Sequence, residues 1–170
     1  MRILVAAIML GVLAVPAIAD AAGLPRDAIE KLFETTDCPL PIEEAVGSQQ
    51  SFDLGDGKTL YLVNCWRAAY QNGRIALVTE NAGAARLLTF KSWNGKRFIS
   101  LESPTEPEFD PASKTLSSYH KGRGLGDCGS LAEWRWNGSE FKLTKYFYKE
   151  KCDGRDFSGG RRWQIFPRRR

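Results

Sequence analysis

The run Lys121-Gly122-Arg123-Gly124-Leu125-Gly126-Asp127-Cys128-Gly129 is where residue types and spacing in this chain come closest to a reactive site. Glycine at that density lets the backbone take positive φ and expose its N–H groups to a ligand. Gly124 to Gly129 even satisfies G-x-G-x-x-G letter for letter. That dinucleotide fingerprint needs a strand before it and a helix opening at its end, whereas Ser130 to Trp136 continues as an alternating strand. No Gly-Lys-Ser/Thr follows, so a Walker phosphate loop is excluded as well. Arg123 and Asp127 instead suit a mutual ion pair that shapes the loop.

Beside this run lies His120, the one histidine of the chain. With Ser117, Ser118, Asp127 and Glu133 it outlines an alternative, a cell-envelope hydrolase using His120 with Asp127 or Glu133. Catalytic groups of that kind converge from separate segments, and the Gly-x-Ser-x-Gly elbow of many serine hydrolases is missing. A binding role therefore leads, with His120, Lys121, Arg123, Asp127, Trp134 and Trp136 as candidate contacts. Trp134 and Trp136 are two apart, so on a strand they share one face. Exposed, they would form an aromatic platform for sugar rings; buried, they would be core. Tyr146 and Tyr148 form a second such pair.

Where this chemistry would take place is indicated at the N-terminus. Arg2, the apolar run Ile3 to Val15 and Ala17-Ile18-Ala19 have the order of a secretory signal over 1–19, so the mature domain is expected to be 20–170. About 13 apolar residues fall short of the roughly 20 that span a bilayer. The expected location is periplasmic or secreted. In an oxidising compartment Cys38, Cys65, Cys128 and Cys152 would form two disulfides. Four cysteines allow three connectivities. The local pairing, Cys38 with Cys65 and Cys128 with Cys152, is favoured because it joins neighbouring strands and forms early. No Cys-x-x-Cys pair supports zinc, and no metal or other cofactor is expected.

The net charge of +4 is concentrated at the C-terminus. Lys149 to Arg170 holds eight basic and three acidic residues, whereas 20–148 is near balance. Arg161, Arg162, Arg168, Arg169 and Arg170 could attract an anionic surface; a solvated, frayed tail is the plainer reading. Nucleic acid is not an expected partner for an exported chain.

The elements that must position these residues are mostly strands. Ala28 to Phe33 has helical spacing, Pro39 and Pro41 stop it, and Ile42 to Val46 can add one more turn. Phe52 and Leu54, then Leu60 to Trp66, flank the turn Gly55-Asp56-Gly57-Lys58 as a hairpin. Strands follow over Arg74 to Thr79, Arg86 to Trp93, Lys96 to Leu101, Thr115 to His120 and Ser130 to Trp136. Asn94-Gly95 is expected as a tight two-residue connection. Trp93-Asn94-Gly95-x-x-Phe98 is echoed by Trp136-Asn137-Gly138-x-x-Phe141, each setting an aromatic pair across a turn. Ser103 to Pro111 reads as an irregular crossing. Eight or nine short strands predict a mainly β fold, an antiparallel meander forming a barrel or sandwich with one short N-terminal α-helix. Leu60, Leu62, Leu77, Leu88, Phe90, Phe98, Leu116, Phe141 and Leu143 are its expected core.

Leu60 to Tyr70, Phe109-Asp110-Pro111, the Lys121 to Gly129 run, Trp136-Asn137-Gly138-x-x-Phe141 and Cys152 together resemble a bacterial envelope family known as domain of unknown function 1176, over about 60–166. Members tend to show Gly-Ala-Tyr-Asn where this chain has Ala68-Ala69-Tyr70-Gln71, and many are longer. The resemblance implies an exported protein with paired cysteines and carries over no catalytic residue. The expected function is a non-catalytic binding or inhibitor-like domain for an envelope protein or glycan.

Overall fold

A computed structural model describes residues 23–81, 83–157 and 160–168. The proposed signal segment, Arg169 and Arg170 lie outside these residues. Two short helices come first, α1 (Arg26–Phe33) and α2 (Ile42–Gly47), each preceded by a proline whose carbonyl accepts the first helical N–H bonds. Eleven strands follow in antiparallel pairs. β1 (Gln50–Gly55), β2 (Lys58–Arg67), β3 (Asn72–Glu80) and β4 (Arg86–Leu87) form one sheet in that order. β5 (Phe90–Trp93) and β6 (Phe98–Leu101) form a separate hairpin. β7 (Glu108–Asp110), β8 (Thr115–Lys121), β9 (Gly129–Trp136), β10 (Phe141–Lys149) and β11 (Gln164–Phe166) form a second sheet, ordered β11-β10-β9-β8-β7.

The two larger sheets face one another as a sandwich rather than closing into a barrel. Even-numbered residues of β2 and β3, Leu60, Leu62, Ala76 and Val78, meet Leu116, Ala132, Trp134, Trp136 and Phe141 of the second sheet in the main core. Odd-numbered residues Tyr61, Val63, Cys65, Ile75 and Leu77 point the other way and are covered by Leu24, Ile29 and Ala45 of the helical layer. Burial on both faces explains why β2 and β3 are continuous apolar runs rather than alternating ones. The expected core residues lie in the main core except Leu77, which is buried on the helical side, with Phe98 and Leu143 only half-buried.

Cys38 is bonded to Cys65 and Cys128 to Cys152, the local pairing. The first bond fixes the segment between the helices to β2; the second ties the Gly-rich loop to the chain leaving β10.

Several expectations need correction. Arg86 to Trp93 is two strands: the Leu88 N–H still bonds the Ala76 carbonyl, and the chain then leaves for the β5–β6 hairpin. Leu87 and Leu88 bury in different clusters, and no glycine or proline marks the break. The Asn-Gly connections are four-residue loops, because Trp93 pairs with Phe98 and Trp136 with Phe141. The leading asparagine explains the length: Asn94 Oδ1 accepts the N–H groups of Lys96 and Arg97, and Asn137 Oδ1 those of Ser139 and Glu140. The Ser103 to Pro111 crossing holds β7. Part of the basic C-terminal segment is folded, since β11 pairs with β10 and the Trp163 ring packs at 6.4 Å from that of Phe157.

Candidate functional site

The Gly-rich run is the loop Gly122–Cys128 between β8 and β9. Arg123 Nε donates to Asp127 Oδ1 at 2.7 Å and Arg123 Nη2 to Asp127 Oδ2 at 2.6 Å, a bidentate pair. The N–H of Gly154 donates to the same carboxylate at 2.6 Å, so Asp127 joins the loop to the segment behind the disulfide. The Arg123 guanidinium, aided by Gly154, holds the Asp127 carboxyl well below the usual carboxylate range despite its burial. Inside the loop the Gly126 N–H bonds the Arg123 carbonyl, and the Gly122 N–H bonds the Cys128 carbonyl at 2.9 Å. The Tyr119 hydroxyl donates to the Gly126 carbonyl.

A second segment braces this loop from the side. Gln71 Oε1 accepts the Lys121 N–H at 2.9 Å while its Nε2 donates to the Lys121 carbonyl at 3.3 Å. Tyr70 then lies against Gly124, where an added Cβ would sit 3.1 Å from the ring. Tyr70 is 68% exposed and Leu125, at the loop tip, 69%. The connection between β2 and β3 is therefore the segment in contact with the Gly-rich run.

The chain following Cys152 is held by a residue that sequence reading missed. Lys149 is fully buried; its Nζ donates to Asp153 Oδ1 at 2.6 Å and to the Arg155 carbonyl at 2.7 Å, 5.2 Å from the centre of the Trp163 ring. No periodicity flags this, because later chain rather than the opposite sheet covers Lys149. Asp127, Cys128 and Cys152 bring three ligand-type atoms together. Both sulfurs are bonded to each other and the carboxylate is taken by Arg123, so the trio offers no ligand set.

The remaining candidates separate by sheet face. His120 and Ser118 lie on the inner side of β8, Ser118 buried and His120 exposed at the mouth of a cleft, and Ser117, Tyr119 and Lys121 lie on the outer side. Thr105 Oγ1 lies 3.2 Å from His120 Nδ1 and Gln71 Nε2 3.5 Å from it. The walls around the ring desolvate it enough to lower its pKa below the ordinary imidazole value. Glu133 points outward to Lys145 at 2.8 Å, and Ser118 Oγ donates to the Thr105 carbonyl. His120 and Glu133 are thus on opposite faces of the sheet, and among the described residues no carboxylate bonds His120. Trp134 and Trp136 do share a face, but it is the inner one: they are 1% and 7% exposed, and Trp134 Nε1 donates to the Lys91 carbonyl at 3.0 Å. The aromatic platform is core, because the β5–β6 hairpin and the first sheet cover it.

Two concavities flank the second sheet. One of about 470 Å³ lies on its inner side near His120, Trp66 and Trp93. The other, about 940 Å³, runs along its outer face past Tyr70, Lys121, Glu133, Lys145 and Arg161. Lys121 spreads along this face with Nζ 5.8 Å from the Tyr119 ring centre. Arg162 stacks at 4.9 Å on its neighbour Trp163, whose ring in turn meets Lys149 and Phe157.

The protein family of unknown function DUF1176 matches residues 14–168. The chain belongs to that family. The match extends beyond 60–166 and takes in both helices and the first disulfide. The chain is 34% identical over 104 residues to the uncharacterized protein YpfG of Escherichia coli (strain K12), covering 59% of this chain and 30% of YpfG. It therefore spans under a third of the length of that relative. No solved structure matches. Among the described residues no helix is long and apolar enough to cross a membrane.

Proposed function

We propose that this chain is an exported domain of the bacterial envelope that binds a protein partner through the Gly122–Cys128 loop and catalyses no reaction. Export rests on the signal-like order of residues 1–19 and fits the two disulfides. The observation that carries the reading is the exposure of Leu125, on a loop fastened by a disulfide, a bidentate ion pair and the Gln71 clamp, beside Tyr70 of the neighbouring β2–β3 connection; the two are among the most exposed large hydrophobic residues. An exposed leucine on a slack loop would lose much of its binding energy to ordering. On a loop already fixed, that cost is small, and the exposed Tyr70 beside it is of a residue type enriched at interface hot spots. The hydrolase alternative lacks this support, since His120, Asp127 and Glu133 each have other partners and do not converge.

The test is recovery from periplasmic extract with the purified, oxidised domain as bait. Wild-type protein should retain a partner in fixed stoichiometry. Leu125→Asp should lose it, because an unpaired carboxylate would be buried where an apolar contact was, a loss of about thirtyfold or more in affinity, with Tyr70→Ala intermediate and the circular dichroism spectrum unchanged. Equal recovery by wild type and Leu125→Asp would refute the reading.

A further inference from the structure

The cleft where the segment after α1, the first sheet, the β5–β6 hairpin and the second sheet meet carries features unlike those of the loop. Its volume, about 470 Å³, falls within the range of small-molecule sites. Half-buried Trp66 and Trp93 contribute to its apolar lining. Trp66 is fixed by its cross-strand partner Gly73: a Cβ there would sit 1.9 Å from the indole Nε1, so only glycine lets the ring lie on the β3 backbone. A ring held in one place is a stacking surface that loses little freedom on binding.

The polar groups of the cleft are in part uncommitted. Ser103 Oγ is buried, lines the cleft and has no hydrogen-bond partner. Buried hydroxyls are seldom left so, and a ligand or a water would satisfy it. At the rim, the carboxylates of Asp37 and Glu102 engage no ion pair or side-chain hydrogen bond among the described residues. Ser130 Oγ is likewise free, while Thr105 and Ser118 hold His120 and its neighbouring strand in place. Among the described residues no lysine or arginine lines this cleft, although the protein as a whole is basic.

We infer that this cleft binds an uncharged sugar of one or two rings. Its hydroxyls would bond Glu102, Asp37, Ser130 and Ser103, and its C–H face would stack on Trp66 or Trp93. Carboxylates accept pairs of hydroxyl protons well. The same two carboxylates, without a counter-charge, repel phosphate, sulfate and uronate groups. Sugar stacking thus belongs to Trp66 and Trp93 rather than to the buried Trp134 and Trp136.

The test titrates the full oxidised chain with cellobiose, maltose and chitobiose, reading tryptophan fluorescence and amide and indole NMR shifts. At least one should bind saturably, with shifts centred on the Trp66 and Trp93 indoles. Glu102→Gln, at an exposed and unpaired position, should weaken binding about tenfold or more by removing a charge-assisted hydrogen bond. Trp93→Ala should do the same if it folds, and Glu102→Gln decides the matter if it does not. Absence of saturable binding by all three disaccharides, equal binding to Glu102→Gln, or tighter binding of digalacturonate or of the deacetylated diamine of chitobiose would each overturn the inference. Leu125→Asp should leave sugar binding intact, and Glu102→Gln should leave recovery of the protein partner intact, so the two sites fail separately.

Discussion

Removing the disulfides one at a time separates stability from function. Cys38→Ala/Cys65→Ala opens a bond spanning 27 residues, and Cys128→Ala/Cys152→Ala one spanning 24. In the loop-entropy treatment each contributes about 3.5 kcal/mol at 25 °C, and the two differ by only about 0.1 kcal/mol. Each pair also has one sulfur in a buried residue, Cys65 at 2% and Cys128 at 1% exposure, so alanine leaves a similar small void in both. For a domain of this size 1 kcal/mol moves the midpoint by about 2–4 °C, so each variant should melt about 7–14 °C below wild type.

Their functional consequences should diverge. Without Cys128–Cys152 the loop keeps its ion pair, but the Gly154 segment that supports Asp127 is no longer tied to it covalently. Partner recovery should fall about tenfold or more. Without Cys38–Cys65 the damage lies on the helical side of the first sheet, and recovery should match wild type at temperatures where both are folded. Far-UV circular dichroism gives the midpoints, and the bait assay at 10–15 °C below the lower one gives function. A loss under about 1 kcal/mol in either variant would refute the entropy argument. Unimpaired recovery without Cys128–Cys152 would refute the claim that anchorage makes the loop a binding element.

Two further predictions concern energetics. Arg123 holds the folded Asp127 carboxyl below its ordinary range, while in the unfolded chain it takes up a proton near pH 4. The unfolded state therefore binds more protons as pH falls below about 5, and stability present at neutral pH is lost toward pH 2. Asp127→Asn should lower stability at pH 7 yet flatten that acid decline, as followed by urea midpoints; an unchanged slope would show that other carboxylates set it. Trp134→Ala should cost about 3–5 kcal/mol in urea unfolding, because a fully buried ring that packs at 5.1 Å on Phe90 is replaced by a cavity. Trp134→Phe should cost less and report mainly the lost bond to the Lys91 carbonyl; a loss below 1 kcal/mol for the alanine variant would contradict its placement in the core.

The parts of the fold legible in the sequence were those set by neighbours in the chain. The hairpins at Asn94 and Asn137, the run of β2, the local disulfides and the Arg123–Asp127 pair all join residues close in sequence. What stayed hidden depends on which face is covered and by what. Alternation puts Trp134 and Trp136 on one side of β9 but cannot say that the β5–β6 hairpin lies over them. It cannot bury Lys149, which is covered by the chain that returns after Cys152, nor show Gln71 reaching 50 residues onward to clamp Lys121. The cleft was missed for the same reason: Trp66 and Trp93 come from different sheets and Ser103 from the connection between β6 and β7.

Both proposed sites depend on the parity of β8. Leu116, Ser118 and His120 face the core and cleft, Ser117, Tyr119 and Lys121 the outer groove, and the loop with Leu125 begins where the strand ends. A slip of one residue against β9 would exchange the two sets, putting Tyr119 into the cleft and His120 outside. Register is held at the far end by Leu116 opposite Trp134 in the core, and at the loop end by Lys121 opposite Gly129 with Gln71 gripping the Lys121 backbone. Gln71 also reaches His120 Nδ1, so one side chain touches the last inward and the last outward residue of the strand. The alignment that presents Leu125 is therefore the alignment that lines the cleft, and the Gly-rich loop and the inter-sheet walls require the same strand register.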